Sequence, residues 1–209
     1  MRRRIAVSLS ITSLLQIGTS ISAAIAAHGY YAIFILMLLE SVSIPVPSEV
    51  ILPLVGYFAA QHQISLVLGF AVATLAAIIG MTIDYYIAYF LGKEVVYKHL
   101  RLFHIKRQDI ESFDEWFSRN GSAAVFLARL LPVVRGLVNF PAGFAEMKVR
   151  DFYLYSTLGC VIWNIVLILF GFYALSISNT YVVIGAIFLF GLTLYLIYRF
   201  AMRRIRVSR

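Results

Sequence analysis

Cysteine is nearly absent from this sequence. Cys160 stands alone in an apolar run, so no internal disulfide forms and nothing in the fold depends on an oxidising compartment. Charge is scarce as well, at 13% of residues against 61% hydrophobic, with a mean hydropathy of +0.87. That balance excludes a soluble domain of any size and predicts one polytopic membrane domain. Histidine is thin: His28, His62, His99 and His104 fall in loops, with no metal-ligand spacing and no phosphatase-like Arg/His constellation. No metal, no cofactor and no intramembrane enzyme is expected from such residues. The formal net charge of +8 is the one feature that suggests nucleic acid. The basic residues sit at membrane edges, where they set topology, and no soluble basic fold is present to hold a nucleic acid.

Proline is rare too, and its placement carries the organisation of the chain. The stretch from Val125 to Gly143 is too apolar for a soluble loop, yet it holds Arg129 and Arg135 with Pro132 between them, Gly136 beside them and Pro141 beyond. A proline inside a helix costs about 3 kcal/mol, and an arginine at mid-bilayer costs at least about 2.5 kcal/mol. A straight span is therefore a poor fit. A re-entrant hairpin fits: two half-helices dip into the membrane, break, and return to the side they left, with the broken backbone covered by protein or by a wet cavity. The stretch from Tyr30 to Ala60 has the same character, with Glu40, Pro45, Pro47, Glu49, Pro53 and Gly56 inside an apolar run. Ser48 and Glu49 directly after Pro47 resemble the start of a half-helix, whose free N–H groups favour an anion.

The rest of the chain fits around these two stretches. Residues 1–27 begin with Arg2, Arg3 and Arg4 and end near Ala24 and Ala26, a pattern close to a signal peptide. Its apolar run is diluted by serine and threonine, and a retained first helix, spanning or interfacial, is favoured over cleavage. Residues 64–91 are long enough to span, with Asp84 inside. Residues 93–120 carry mixed charge, with Ile110, Phe113, Trp116 and Phe117 at helical spacing, and read as an amphipathic helix on the membrane surface. Residues 152–175 span again, residues 180–198 form a last span, and a basic tail follows. The expected fold class is thus an all-α polytopic membrane protein with two opposed re-entrant hairpins, about 30–60 and 122–146, and about four spanning helices. If the first helix spans and both hairpins return to their own sides, every Lys and Arg except Arg129 and Arg135 falls on one face of the membrane. The positive-inside rule makes that face cytoplasmic, with both termini on it.

The two hairpins match each other. Pro45 precedes Gly56 by the interval that separates Pro132 from Gly143, and a charge lies on each side of either proline. Hairpins that enter from opposite sides form an inverted repeat, which places a substrate site near the midplane at the tips of broken helices.

At these residues the chain resembles the DedA family, also called the VTT or SNARE-associated domain family. The matching pieces are Glu40 before Pro45-Val-Pro-Ser-Glu49, Gly80-x-x-x-Asp84 with Gly92, and Phe126-x-x-Arg129-x-x-Pro132-x-x-Arg135 followed by Ala142-Gly143, Met147 and Phe152. The likeness runs from about residue 28 to 175. The Arg/Pro/Arg…Ala-Gly motif is fairly specific, and the Gly…Asp…Gly part is weak alone. Ala88-Tyr89, and Lys93 after Gly92, depart from the pattern of many members. The resemblance implies an integral transporter of lipids in the cell membrane. Its bacterial members are associated with polyprenyl phosphate carriers or phosphatidylethanolamine, often with dependence on proton motive force, and its eukaryotic relatives scramble phospholipids. It also implies functional roles for Glu40, Glu49, Arg129 and Arg135.

Read for chemistry, Arg129 and Arg135 are suited to a phosphate, because a guanidinium presents a fork of donors and does not lose its proton. Glu40, Glu49 and Asp84 are titratable. Unprotonated they neutralise the arginines, and protonated they release them for the lipid headgroup. Pro45, Pro47, Gly56, Pro132, Gly136, Pro141 and Gly143 are assigned to the breaks in the hairpins. The expected partners are membrane lipids, a phosphate-bearing lipid substrate and protons, with an oligomer left open. Two other functions share these residues: a passive scramblase without proton coupling, and a proton or small-ion antiporter in which the arginines only pair the carboxylates. Structural ion pairing between the hairpins is the plainest alternative for each charge.

Overall fold

The computed structural model describes residues 11–44, 46–99, 121–131 and 134–174, with the backbone alone at 11–15, 92–99 and 134. Pro45, Pro132, the segment 100–120 and the expected last span and basic tail lie outside the described residues. Every described element is a helix: α1 (Ile11–His28), α2 (Tyr30–Ser41), α3 (Ser48–Ala60), α4 (Leu66–His99), α5 (121–129), α6 (Val134–Leu137), α7 (Asn139–Phe144) and α8 (Val149–Ala174). The expectation of an all-helical chain holds for these residues. Helix α4 continues through His99, so the first residues of the segment read as a surface helix extend α4 instead.

Local chemistry sets the breaks. Gly29, at φ 54°, turns the chain between α1 and α2. After Ser41, Val42 and Ser43 leave the helix, and Ser43 takes a φ of 60° that side-chain-bearing residues seldom adopt. Pro47 then caps α3 from an extended conformation, at φ −78° and ψ 107°. It lacks an N–H, so nothing is lost by ending one helix and starting another there. Pro53 lies inside α3 and does not end it.

Helices α4 and α8 organise the rest. The segments Leu66–Leu91 and Val149–Ala174 are both apolar enough, at 26 residues each, to cross a membrane. At 1.5 Å per residue each is about 39 Å long, against a hydrocarbon core of about 30 Å. They run antiparallel: Tyr153 Oη donates to Thr82 Oγ1 at 2.8 Å near one end, and Asn164 Nδ2 donates to Thr74 Oγ1 at 3.1 Å further along. Both expose large apolar side chains in helical register, Leu75, Ile79, Ile83 and Ile87 on α4, and Leu154, Leu158, Ile162 and Leu169 on α8. A lipid environment covers such stripes at no cost, whereas water would not.

The α2–α3 pair begins and ends at one end of α4. The Tyr30 hydroxyl, at the start of α2, accepts from the Ser65 N–H just before α4 at 2.8 Å. The far end of α2, at Leu38 and Ser41, lies against Gly80 in mid-α4. The α5–α7 unit sits toward the other end of α4, where Gly143 meets Tyr85 and Ala88 and the Tyr85 hydroxyl donates to the Met147 carbonyl at 2.5 Å. Two buried clusters follow. One joins α1, α2 and α3 to α4 and α8 around Ile33, Met37, Ile51, Leu52 and Leu167. The other joins α5 and α7 to α4 and α8 around Met81, Tyr85, Val125 and Phe152. Tyr85 is fully buried and stacks on Phe152 at 4.4 Å between centroids.

Several residues assigned to the breaks do something else. Gly56 is inside α3, where a Cβ would strike the backbone of Ile168, Gly171 and Phe172. Gly171 of α8 in turn meets the backbone of Pro53. These two glycines let α3 and α8 touch backbone to backbone. Gly143 and Pro141 lie inside α7, and Gly143 makes the corresponding approach to α4. Gly136 lies in α6, beside the break, and Pro47 is the N-cap of α3.

Candidate functional site

The break after α2 and the break before α7 meet beside the middle of α4. Glu40, at the end of α2, faces Arg135 of α6. Arg135 Nε donates to Glu40 Oε1 at 2.9 Å, and Arg135 Nη2 joins the same oxygen in an ion pair. Ser41 Oγ donates to the second oxygen of Glu40 at 3.2 Å. The Arg135 guanidinium also lies 5.5 Å from the ring centroid of Trp163 on α8, an attractive placement for a cation on an indole face.

The second pair of charges does not touch. Arg129, on α5, and Asp84, on α4, are 6% and 3% exposed. Asn139, the first residue of α7 and fully buried, stands between them. Arg129 Nη2 donates to Asn139 Oδ1 at 2.5 Å, and Asn139 Nδ2 donates to Asp84 Oδ2 at 3.3 Å. Only this orientation of the amide satisfies both neighbours, since a guanidinium has no acceptor and a carboxylate no donor. The same Asp84 oxygen accepts from Ser43 Oγ at 2.7 Å. Ser43 Oγ also approaches the Gly136 carbonyl at 3.5 Å. The left-handed backbone at Ser43 is what turns this hydroxyl toward α4 and α6 together.

Four of the five charged residues singled out from sequence therefore share one buried network: Glu40, Asp84, Arg129 and Arg135. Glu49 does not join it. It lies half-buried in the first turn of α3, with no hydrogen bond or ion pair among the described residues. Sequence reasoning missed Asn139 and Ser43. An isolated amide in an apolar run, four residues after Arg135, is the signal that pointed to Asn139. Ser43 carried none, because its role rests on one backbone angle.

The two arginines are unequal. Arg135 has a carboxylate partner. Among the described residues no carboxylate lies within 4.0 Å of Arg129, whose one hydrogen bond goes to a neutral amide and whose buried Nε has no partner. Guanidinium groups buried in this way are costly unless an acceptor meets them. Ser48 Oγ, Ser156 Oγ, Trp163 Nε1 and Asn164 Oδ1 are also buried without a partner.

Comparison with known proteins places the chain. Residues 46–173 match the family model of the VTT domain. Undecaprenyl phosphate transporter A of Staphylococcus aureus is 40% identical over 151 residues, covering 70% of this chain and 74% of the relative. A protein named undecaprenyl phosphate transporter A in Bacillus subtilis is 33% identical over 147 residues, 68% of this chain and 70% of the relative. A Lactococcus lactis protein named alkaline phosphatase-like protein is 33% identical over 148 residues, 68% and 69% of the two chains. No solved structure matches. A family match over more than half the sequence, together with relatives of this identity and coverage, makes the chain a member of the VTT-domain, or DedA, family of membrane proteins.

Proposed function

We propose that this protein carries a phosphate-bearing lipid, a polyprenyl phosphate or a phospholipid, between the leaflets of the cell membrane. The observation that carries this reading is the buried guanidinium of Arg129, which among the described residues has one neutral partner and an unpaired Nε. It sits beside Arg135, whose charge Glu40 already balances. A phosphate entering between the two would first meet a guanidinium with no carboxylate partner among the described residues, and then compete with Glu40 for the second. The names of the Staphylococcus and Bacillus relatives support the same class of substrate.

The membrane arrangement in this proposal uses two re-entrant hairpins. Helices α2 and α3 have 12 and 13 residues, about 18 Å and about 20 Å, well short of a bilayer core of about 30 Å. The start of α2 adjoins the start of α4, and the end of α2 reaches the middle of α4. This supports an entry and a return on one side. The α5–α7 unit approaches from the other, and the tips meet at Glu40 and Arg135. Such an inverted repeat, with about four spanning helices around it, puts the network near the midplane. The headgroup crosses there while its tails stay in lipid. Protons enter through Glu40 and Asp84: a protonated Glu40 no longer holds Arg135, and deprotonation expels the phosphate. Glu49, at the entrance to α3, is the third titratable group.

Purified protein in liposomes, given a labelled polyprenyl phosphate on one leaflet with and without a pH gradient, tests this. Movement that follows the gradient and is lost in the Arg129→Ala/Arg135→Ala double variant supports the proton-coupled carrier. Movement indifferent to the gradient makes the protein a passive scramblase. Ion flux without any lipid movement makes it an antiporter and leaves the arginines structural. The name of the Lactococcus relative raises hydrolysis of the same phosphate. Inorganic phosphate released from the label, and no longer released by the double variant, decides for an enzyme and against a carrier.

A further inference from the structure

We infer that Trp163 and Ser156 of α8 are ligand-binding residues that complete the phosphate site on the side away from Asn139. This rests on the phosphate-lipid reading above and extends it to groups outside the buried charges. Gly159 marks the place. A Cβ there would meet Arg129 Cγ at 3.2 Å and the Phe126 carbonyl at 3.2 Å, so the stem of Arg129 lies directly on this face of α8. Ser156 and Trp163 are three residues before and four after Gly159, one turn to either side on the same helix face. Trp163 reaches the other arginine as well, since Arg135 lies over its ring at 5.5 Å.

Among the described residues, three buried polar atoms without a partner belong to these side chains: Arg129 Nε, Ser156 Oγ and Trp163 Nε1. On the opposite side of the network Glu40, Ser43, Asp84 and Asn139 are all bonded. These three groups lie on the α8 side of Arg129; Ser48 Oγ and Asn164 Oδ1, the other two unpartnered atoms among the described residues, are not part of the set. The chemistry of the three is one-sided. A guanidinium and an indole N–H only donate, and a hydroxyl can donate. What satisfies them must bring acceptors alone, and several of them, on an anion that Arg129 attracts. A phosphate monoester, with three terminal oxygens, has that character. Gly159 leaves room for Arg129 to lie close to α8, so that its Nε and the indole N–H serve a single group.

The test separates a ligand donor from a packing residue through opposite effects on stability and binding. Trp163→Phe keeps an aromatic ring near Arg135 but loses the N–H together with part of the indole's volume, and Ser156→Ala removes only the hydroxyl. An unsatisfied buried polar group destabilises the free protein, so Ser156→Ala does not lower its melting temperature in detergent, and Trp163→Phe lowers it only through the lost volume. Binding of farnesyl monophosphate, read as ligand-induced stabilisation and as Kd, weakens about tenfold for each, the scale of one hydrogen bond to a charged group. Farnesol, which lacks the phosphate, stabilises none of the proteins. Ser156→Thr, which restores a hydroxyl, recovers binding. Stabilisation by inorganic phosphate that the same variants lose supports the donor set with a free anion as its ligand. Unchanged Kd in both variants, with Arg129→Ala abolishing binding, overturns this inference alone. A fall in the melting temperature of free Ser156→Ala protein also overturns it, because the hydroxyl then has a protein partner. Failure of wild-type protein to bind either phosphate overturns it together with the phosphate-lipid reading.

Discussion

Replacing Asn139 by leucine tests whether the two unlike charges on either side of it are held apart by design of the packing. Asn139 is fully buried and makes two hydrogen bonds, from Arg129 Nη2 at 2.5 Å and to Asp84 Oδ2 at 3.3 Å. Leucine has the same branched skeleton of four heavy atoms and neither polar group. It keeps the space filled, so no cavity forms, and it blocks a direct approach of Arg129 to Asp84. Both bonds involve a charged partner, and such bonds are each worth roughly 1.5–3 kcal/mol. The longer one lies at the low end. The expected loss is therefore roughly 3–5 kcal/mol of unfolding free energy, a large part of what a protein has. Asn139→Ala opens the gap instead, so Arg129 and Asp84 can close on each other, and its cost falls below that of leucine despite the smaller side chain. Equilibrium unfolding of purified protein in mixed micelles, with transitions compared at matched detergent ratios, measures both. A leucine variant within about 1 kcal/mol of wild type refutes the bridge. An alanine variant worse than the leucine one shows that volume, not the amide, is what the site needs.

Three further outcomes follow from the same geometry. Gly171→Ala drives a Cβ into the Pro53 backbone and should cost roughly 1–3 kcal/mol or more as an overpacked contact; Gly18→Ala, where nothing lies within 4 Å, should leave monodispersity in size-exclusion chromatography unchanged. Arg135→Lys loses the fork that meets Glu40 and should abolish lipid movement while the protein still inserts; transport at wild-type rate would refute a bidentate phosphate contact. Ser43→Val places a β-branched residue at φ 60° and removes the hydroxyl from Asp84, whereas Ser43→Gly relieves the backbone and loses only the hydroxyl. Thermal unfolding should rank wild type and glycine well above valine.

The helical class, the break after α2 and the need of the buried carboxylates and arginines for one another were legible in the sequence, because each has a local cause; which of these charges pair was not. Apolar runs of spanning length read as helices, prolines in those runs mark where one ends, and charges in apolar surroundings have to find one another. What was not legible depends on contacts between distant elements. Gly56 and Gly143 looked like hinges by analogy with the prolines near them. They are helical, and their function is visible only once α8 and α4 lie against them. Pro53 stands in the same apolar run as Pro45 and Pro47, yet α3 runs through it. Glu49 and Glu40 flank Pro45 alike on paper, but a helix start and a helix end point their side chains differently, and only Glu40 reaches an arginine. Asn139 is uncharged, so a search for buried charges passes over the residue that decides which charges touch.

That neutral bridge is what separates the network from a set of structural ion pairs. Two cations and two anions could have formed two direct pairs, and the symmetric spacing of charges around Pro45 and Pro132 suggests that they would. Here one pair is direct and the other is interrupted by an amide, which cannot neutralise either neighbour. Packing alone gives no reason to keep Arg129 buried against Asn139 with its Nε unbonded, since an apolar residue of the same volume would cost nothing there. On the proposed reading the asymmetry has a use. Arg129 offers its charge to a phosphate at once, and Arg135 offers its own only after Glu40 lets go. Capture then depends on the first arginine and release on the second, so Arg129→Ala should weaken binding of the phosphate, whereas Glu40→Gln should strengthen it and slow release. Lipid binding and lipid exchange measured on these two variants side by side decide the matter: parallel effects on both steps would mean that the arginines act as one site, and the asymmetry would be without function.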